Sequence, residues 1–316
     1  MNFRFLALVS SPLDAQLQWL LYSEQSSSFV TGDGKQAFAV ATATPNRLVP
    51  LARDAAEPAD GPFHPCNLPI AAALYDEMSA RPWHGFRFLD HSAYDHAIGS
   101  DGLPAGDLLR TLVFGPDYGH YLLHPESGLV LALRAGSIEL LRQLPQGFER
   151  VERTRTRGRA ALAFAAHPHE SLIAYGDNAG DFHAQLFAAD GFGKASKIAA
   201  KKRKASRLEF SADGRSLMIG GMGYLASLAY EAGKFHPVHE TALAVRDFVV
   251  LEGGGLVVVN QGMHGIAAYR HDESGFTQIG SVGTAVREIL VSTCSRYLAA
   301  LAQDSASVFV YEMSRA

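Results

Sequence analysis

Two stretches of this 316-residue chain are crowded with positive charge: Arg150–Arg159, reading RVERTRTRGR, and Lys194–Lys204, reading KASKIAAKKRK. Guanidinium and ammonium groups at this density break no bonds of their own. They hold carboxylates and phosphates, the guanidinium in a two-pronged geometry, and their grip weakens as salt rises. Residues 141–215 carry 14 Lys and Arg against 8 Asp and Glu, a net of +6, while the rest of the chain carries 14 against 24. A formal charge of −4 therefore conceals one basic region in an otherwise acidic protein. The candidate partner-binding residues are Arg153, Arg155, Arg157, Arg159, Lys201, Lys202, Arg203 and Lys204, and the partner they suit is an acidic protein or peptide. The acidic balance elsewhere and the lack of interleaved aromatic residues argue against nucleic acid.

The other chemistry-bearing residues form no working set. His64, His84, His91 and His96 gather near Asp90 and Asp95, donor types that suit zinc or iron, but their spacing fits no ligand motif and neither metal nor cofactor is expected. His124 and His167 each precede a proline and read as turn residues. Cys66 and Cys294 are the only cysteines, too far apart in sequence to indicate a disulfide framework or a cysteine zinc site, which points to a reducing, cytoplasmic setting. A catalytic thiolate would need a basic neighbour that the sequence does not show. The chain lacks a G-x-S-x-G elbow, a G-x-G-x-x-G turn, a phosphate-binding G-x-x-x-x-G-K-[ST] loop and an H-E-x-x-H helix. No catalytic residue is assigned. The apolar run FLALV near the start is too short for a secretory core, and no stretch reaches the length of a membrane-spanning helix.

The elements that must carry the basic runs follow from an internal repeat. YLLHPESGLVLALRAGSIELL, ALAFAAHPHESLIAYGDNAGDFHAQLF, RLEFSADGRSLMIGGMGYLASLAY, RDFVVLEGGGLVVVNQGMHGIAAY and REILVSTCSRYLAALAQDSASVFVYE share one grammar of strand, turn, strand, turn, strand. Their closing positions, Leu141, Phe187, Tyr230, Tyr269 and Tyr311, are 46, 43, 39 and 42 residues apart. Apolar runs rich in Val, Ile, Leu and Phe, broken by HPES, HPHE, SADG or LEGGG, are buried strands joined by β-turns. A unit of this length with three clear strands and a looser fourth is one blade of a β-propeller.

The segments FSADGRSLMIGG (Phe210–Gly221) and FAAHPHESLIAYGD (Phe164–Asp177) resemble the second-strand entry of WD40-repeat proteins, with Phe187, Tyr230, Tyr269 and Tyr311 where that family has tryptophan. The blades are degenerate: neither the Gly-His dipeptide ahead of each blade nor the Trp-Asp pair is present. The resemblance covers residues 119–316 well and the first 118 poorly. The fold class is therefore all-β, a seven-bladed propeller of four-stranded antiparallel blades forming a single domain over 1–316, with degenerate blades in 1–118 and five regular repeats in 119–316. Blade one lies in residues 17–52 and blade two within 62–118, with an irregular insertion near 52–118 that includes a short helix over 67–80. The final repeat has only three strands, so NFRFLALV at the amino terminus is expected to supply its fourth.

On this architecture Arg157 and Arg203 each stand seven residues before an aligned inner-strand phenylalanine, Phe164 and Phe210. Both basic runs then fall on outer-to-inner connections and share a face. Arg207, Arg246 and Arg287 each stand three residues before Phe210, Val249 and Leu290, making them candidates for holding an anion at a channel mouth, with Glu209, Asp247 and Glu288 beside them as local ion-pair partners. The resemblance implies a non-catalytic scaffold for protein–protein interaction. The alternative is a lactonase-like or hydrolytic propeller enzyme, with a metal or histidine site near the axis drawn from the His64–His96 region.

Overall fold

A computed structural model describes residues 1–11, 17, 19–23, 28–32, 37–42, 45, 49–50, 84–86, 92–98, 104–113, 118–124, 129–134, 136–144, 147–154, 159–200, 203–292, 294–304 and 306–315. They belong to two compact units, one comprising Met1, Pro82–Phe86 and Asp117–Ala285, the other Asn2–Arg81, Arg87–Pro116 and Val286–Ala316. Among the described residues the regular structure is β apart from two short 3-10 turns, Glu252–Gly254 and Gly262–His264, and no helix is long and apolar enough to cross a membrane.

In chain order, β1 (Asn2–Ser10) is followed by β2 (Trp19–Ser23), β3 (Ser28–Gly32), β4 (Ala37–Ala41) and β5 (Val49–Pro50). Next come β6 (His84–Phe86), β7 (Ser92–Ile98) and β8 (Pro104–Val113), then β9 (Tyr118–His124), β10 (Leu129–Arg134), β11 (Ser137–Leu144) and β12 (Gly147–Arg153). The regular repeats continue through β13 (Ala161–Ala166), β14 (Leu172–Asp177), β15 (Asp181–Ala188), β16 (Gly191–Phe192) and β17 (Ser196–Ala200), and through β18 (Ala205–Phe210), β19 (Ser216–Gly221), β20 (Tyr224–Glu231) and β21 (Lys234–Thr241). They end with β22 (Asp247–Leu251), β23 (Leu256–Asn260), β24 (Ile266–Asp272), β25 (Gly275–Val282), β26 (Val286–Val291), β27 (Tyr297–Ala302) and β28 (Ser307–Ser314).

Every pairing is between antiparallel neighbours, and the described strands fall into seven sheets. One unit holds β2-β3-β4-β5, the hairpin β7-β8, and β1-β28-β27-β26. The other holds β12-β11-β10-β9-β6, the sheet β13-β14-β15 with β16 and β17 both on β15, and the meanders β18 to β21 and β22 to β25. Each closing position, from Leu141 to Tyr311, lies on the third strand of its sheet. The amino-terminal strand does complete the last sheet: β1 pairs with β28 from Asn2↔Ser314 to Ser10↔Ser307, with a bulge between Phe5 and Ala7. In the region assigned to blade two, β7 and β8 pair with each other, while the three-residue β6 joins the following sheet beside β9. The helix expected over 67–80 lies outside the described residues.

The apolar runs make sense because the middle strands are covered on both faces. In β13 and β14, Ala161, Phe164, Ala166, Ile173 and Tyr175 pack with Leu129, Leu131, Ile138 and Leu140 of the preceding sheet. Ala163, Ala165 and Ala174 turn the other way, toward Leu208, Phe210, Leu217 and Ile219 of the next. Met218 and Leu225 continue the series against Phe248, Val257 and Val259. In the second unit Phe29, Phe38 and Val40 meet Ala299, Leu301, Val308 and Val310 in the same manner. A strand with two buried faces has no polar side to show, so alternation gives way to near-continuous hydrophobicity.

The polar SADG turn works through local bonds. The Ser211 N–H donates to Ser216 O (2.8 Å), the Gly214 N–H to Ser211 O (2.8 Å), and the Ser211 hydroxyl to Asp213 Oδ1 (2.6 Å). Gly214 has φ +74°, a left-handed conformation that glycine adopts without a Cβ penalty. His167, on the equivalent turn of the preceding sheet, accepts the His169 and Glu170 N–H groups at Nδ1 (3.2 and 3.0 Å). Its proton is thereby fixed on Nε2, which donates to Gly214 O at 3.1 Å. Burial lowers the imidazole's pKa, consistent with a neutral turn-bridging residue.

Phe182 tests the two-sided packing. It is fully buried, faces Gly176 in register, and its ring would lie 2.8 Å from any Cβ placed there. Phe182→Ala should cost about 3–5 kcal/mol in urea unfolding, whereas Leu186→Ala on the same strand, at a side chain 59% exposed, should stay within about 0.5 kcal/mol. Equal costs would refute this register.

Candidate functional site

In a four-stranded antiparallel sheet the first and third turns lie at one end. The second turn and the connection onward to the next sheet lie at the other. The basic runs belong to that second end. Residues 154–160 link β12 to β13, 201–204 link β17 to β18, and 242–246 link β21 to β22. These three successive connections contain eight Lys and Arg and no Asp or Glu.

Backbone bonds tie the connections to the second turns. Ala161 N–H donates to Gly136 O (2.6 Å) and Asn178 N–H to Ala160 O (2.8 Å). Val245 N–H donates to Gly221 O (3.2 Å), and Arg246 N–H to Asn260 O (2.9 Å). The Tyr224 hydroxyl, its pKa pushed well up by burial, reaches Arg203 O at 3.5 Å. Arg153 closes β12 and is exposed, as are Arg159, Arg203 and Lys204. Arg155, Arg157, Lys201 and Lys202 lie in the same connections by sequence but outside the described residues.

Among the described basic residues of these runs, Arg150, Arg159, Lys197 and Arg203 pair within the protein itself, Arg150 with Glu139 at 3.4 Å. Arg203 pairs with Glu240 (3.1 Å) and lies over the Tyr224 ring, 5.6 Å from its centroid. Arg159 contacts Asp177 (3.3 Å) and Asp181 (2.7 Å), and Lys197 also holds Asp181 (2.9 Å). The His183 ring is 3.2 Å from Asp177. Burial pushes the Asp177 carboxyl up, but the N–H of Asp181, the His183 ring, the N–H of Ala179 and Arg159 together hold it below the ordinary carboxylate value. Asp181 is held low first by Lys197 and then by Arg159. Asp177, Asp181 and His183 bring their donor atoms within 4.8 Å of one another, a geometry compatible with a metal ion. Arg159 and Lys197 already occupy those oxygens, so two positive charges balance two negative ones and the group is an ion-pair network. Sequence reasoning missed it; its one signal was a pair of aspartates framing the turn in DNAGD.

The three arginines expected at a channel mouth differ in setting. Arg207 holds Glu209 with two nitrogens (3.1 and 2.8 Å) and approaches Asp247 at 3.2 Å. Glu209 also accepts the Val250 N–H (3.0 Å), and burial raises its pKa against the pull of Arg207. One guanidinium between two carboxylates offers an anion little. Register explains the spacing. Bulges fall just after Ala205 in β18 and Val286 in β26, so Arg207 stands two residues past its bulge-flanking residue and Arg287 only one past. Arg287 donates to Leu17 O (2.8 Å), and Arg246 is exposed. Of the histidines proposed for the alternative site, His84 and His96 lie on β6 and β7, while His64 and His91, like Cys66, are outside the described residues. Cys294 is exposed, its sulfur 3.3 Å from Ser292 Oγ.

No protein-family model matches the chain, and no curated protein matches it in sequence. Solved structures do. The β-propeller domain of Cps50 (Swd1) from Myceliophteria thermophila superposes with a TM-score of 0.69 at 11% identity, covering 99% of this chain and 100% of that one. The fold is a β-propeller. Two bacterial propellers provisionally described as 6-phosphogluconolactonases also match. The one from Bacteroides uniformis does so with a TM-score of 0.62 at 17% identity, over 94% of this chain and 92% of its own. The one from Bacteroides fragilis has a TM-score of 0.62 at 15% identity, over 96% and 92%. At these identities the likeness establishes architecture alone. Each four-stranded sheet is thus a blade, and the basic connections are its inter-blade loops.

Asp177→Asn should destabilise the blade by about 1–3 kcal/mol at neutral pH, because a buried charge-assisted network loses its central acceptor. A carboxyl held below its unfolded pKa stabilises above that value and loses the contribution as pH falls through the folded one. The gap between wild type and variant in urea unfolding should therefore close below about pH 4. A gap that widens in acid would contradict the assignment.

Proposed function

We propose that this β-propeller is a non-catalytic interaction platform, working in the cytoplasm, that holds an acidic protein or peptide on the end of its blades where the basic inter-blade connections emerge. One observation carries the reading: eight Lys and Arg, and no Asp or Glu, in three successive connections at the same end of their sheets. Such a run of like charge raises the local concentration of anionic partners and speeds their encounter. The Arg159 and Arg203 ion pairs support a positioning role for these two residues, leaving Arg153, Arg155, Arg157, Lys201, Lys202 and Lys204 as the contact set. The blades behind the loops are buried on both faces, so loop residues can vary without disturbing the core.

Charge reversal gives the test. The quadruple variant Arg155→Glu, Arg157→Glu, Lys202→Glu and Lys204→Glu should weaken binding of a fluorescent Asp/Glu-rich peptide at least about tenfold at low ionic strength, and the wild-type affinity should itself fall as salt rises. The far-ultraviolet spectrum should be unchanged. Equal affinity of both proteins in low salt would reject the proposal.

A further inference from the structure

A single exposed apolar side chain is ordinary, but two on corresponding turns of successive blades, both at one charged end, point to a shared use. Met222 is 91% exposed and Met263 73% exposed, the two most exposed large hydrophobic side chains among the described residues. Each sits on the second turn of its blade, Met222 between β19 and β20, Met263 between β23 and β24. Those turns lie at the basic end. The connections that carry Lys204 and Arg246 run beside them: Lys204 O stands against the Cα of Gly221, next to Met222, so closely that no Cβ would fit there. On the other side Val245 N–H is bonded to Gly221 O while the N–H of its neighbour Arg246 is bonded to Asn260 O, at the foot of the turn that carries Met263. The order across these two blades is Lys204, Met222, Arg246, Met263.

Alternation of cation and thioether selects a particular ligand. A run of carboxylates alone would suit the net positive charge of these connections but leave both methionines in water. An apolar peptide would cover the methionines and desolvate the charged connections without return. Methionine is flexible and polarisable, adapts to varied apolar shapes, and is enriched in protein interfaces. We propose that Met222 and Met263 are the apolar anchors of this face, and that the partner segment is an acidic stretch interrupted by bulky apolar side chains. The inference rests on the basic-face reading above and specifies its ligand.

Two dodecapeptides of equal charge separate the possibilities. One carries Leu and Phe among its acidic residues, the other Ser at those positions, and both are titrated into full-length protein labelled at the methionine ε-methyl carbons. The Leu/Phe peptide should bind about tenfold tighter, and it should shift the Met222 and Met263 methyl signals, which are assigned by their loss in Met222→Gln and Met263→Gln. Met218 and Met313, both buried, should not move. In the double Gln variant the advantage of the Leu/Phe peptide should vanish while the affinity of the Ser peptide stays unchanged. Equal affinity of the two peptides for wild type would overturn the anchor assignment and leave the basic face standing. Failure of both peptides to bind would overturn the basic-face reading as well. Self-association abolished by the Gln pair, without peptide binding, would overturn the proposal in favour of a second copy. A single-stranded oligonucleotide that shifts the two methyls more than either peptide would also overturn it.

Discussion

Burial of the middle strands on both faces governs everything else in this molecule. Ile173, Leu217, Val257 and Leu298 are each fully or nearly fully buried on second strands, and each belongs to a cluster or run that leaves no solvent side for a polar residue. Polar chemistry is therefore expelled to strand ends and to the loops between blades. Where a charge does enter a sheet, as at Asp177 or Glu209, the protein supplies a counter-ion and a backbone N–H for it. The distribution of charge follows from this exclusion, and the basic connections are where the sequence is free to carry it.

The repeat was legible because it is written in composition: four-to-six-residue runs of Val, Ile, Leu and Phe returning at a steady period, with turns such as SADG at their ends, suit strands covered on both faces. The amino-terminal strand was legible by counting, since the last repeat had three strands and β1 became the fourth. Side-chain partnerships were less accessible. Arg159 meets Asp177 across 18 residues only because the connection and the second turn emerge at one end, a matter of topology and not of local pattern. The shared spacing of Arg207 and Arg287 hid a difference in their settings for a smaller reason. A bulge shifts pairing by one residue, and a shift of one turns a strand side chain toward the opposite face. The three residues of β6 gave no periodic signal at all, and their place beside β9 is set by pairing.

Charge on the basic end is also less uniform than a residue count suggests. Arg159 and Arg203 spend their charge on Asp177, Asp181 and Glu240, which fixes the loop backbone around them. Arginine suits that role because its planar fork satisfies two oxygens at once, whereas lysine remains a mobile point charge. Lys204 and the methionines on the adjacent turn tips are exposed side chains set next to the arginines that hold these ion pairs.

The antiparallel seam between β1 and β28 joins residues almost three hundred positions apart, with Ser10 and Ser307 hydroxyls 3.4 Å from each other. On a ribosome the first ten residues emerge long before their partner exists. Until the last strand is made, the edge of β1 that pairs with β28 has no mate, and closing so long a loop is entropically slow. The newborn chain thus passes most of its synthesis with an open seam, a period in which a chaperone, or a neighbouring copy offering its own final strand, competes for the same edge.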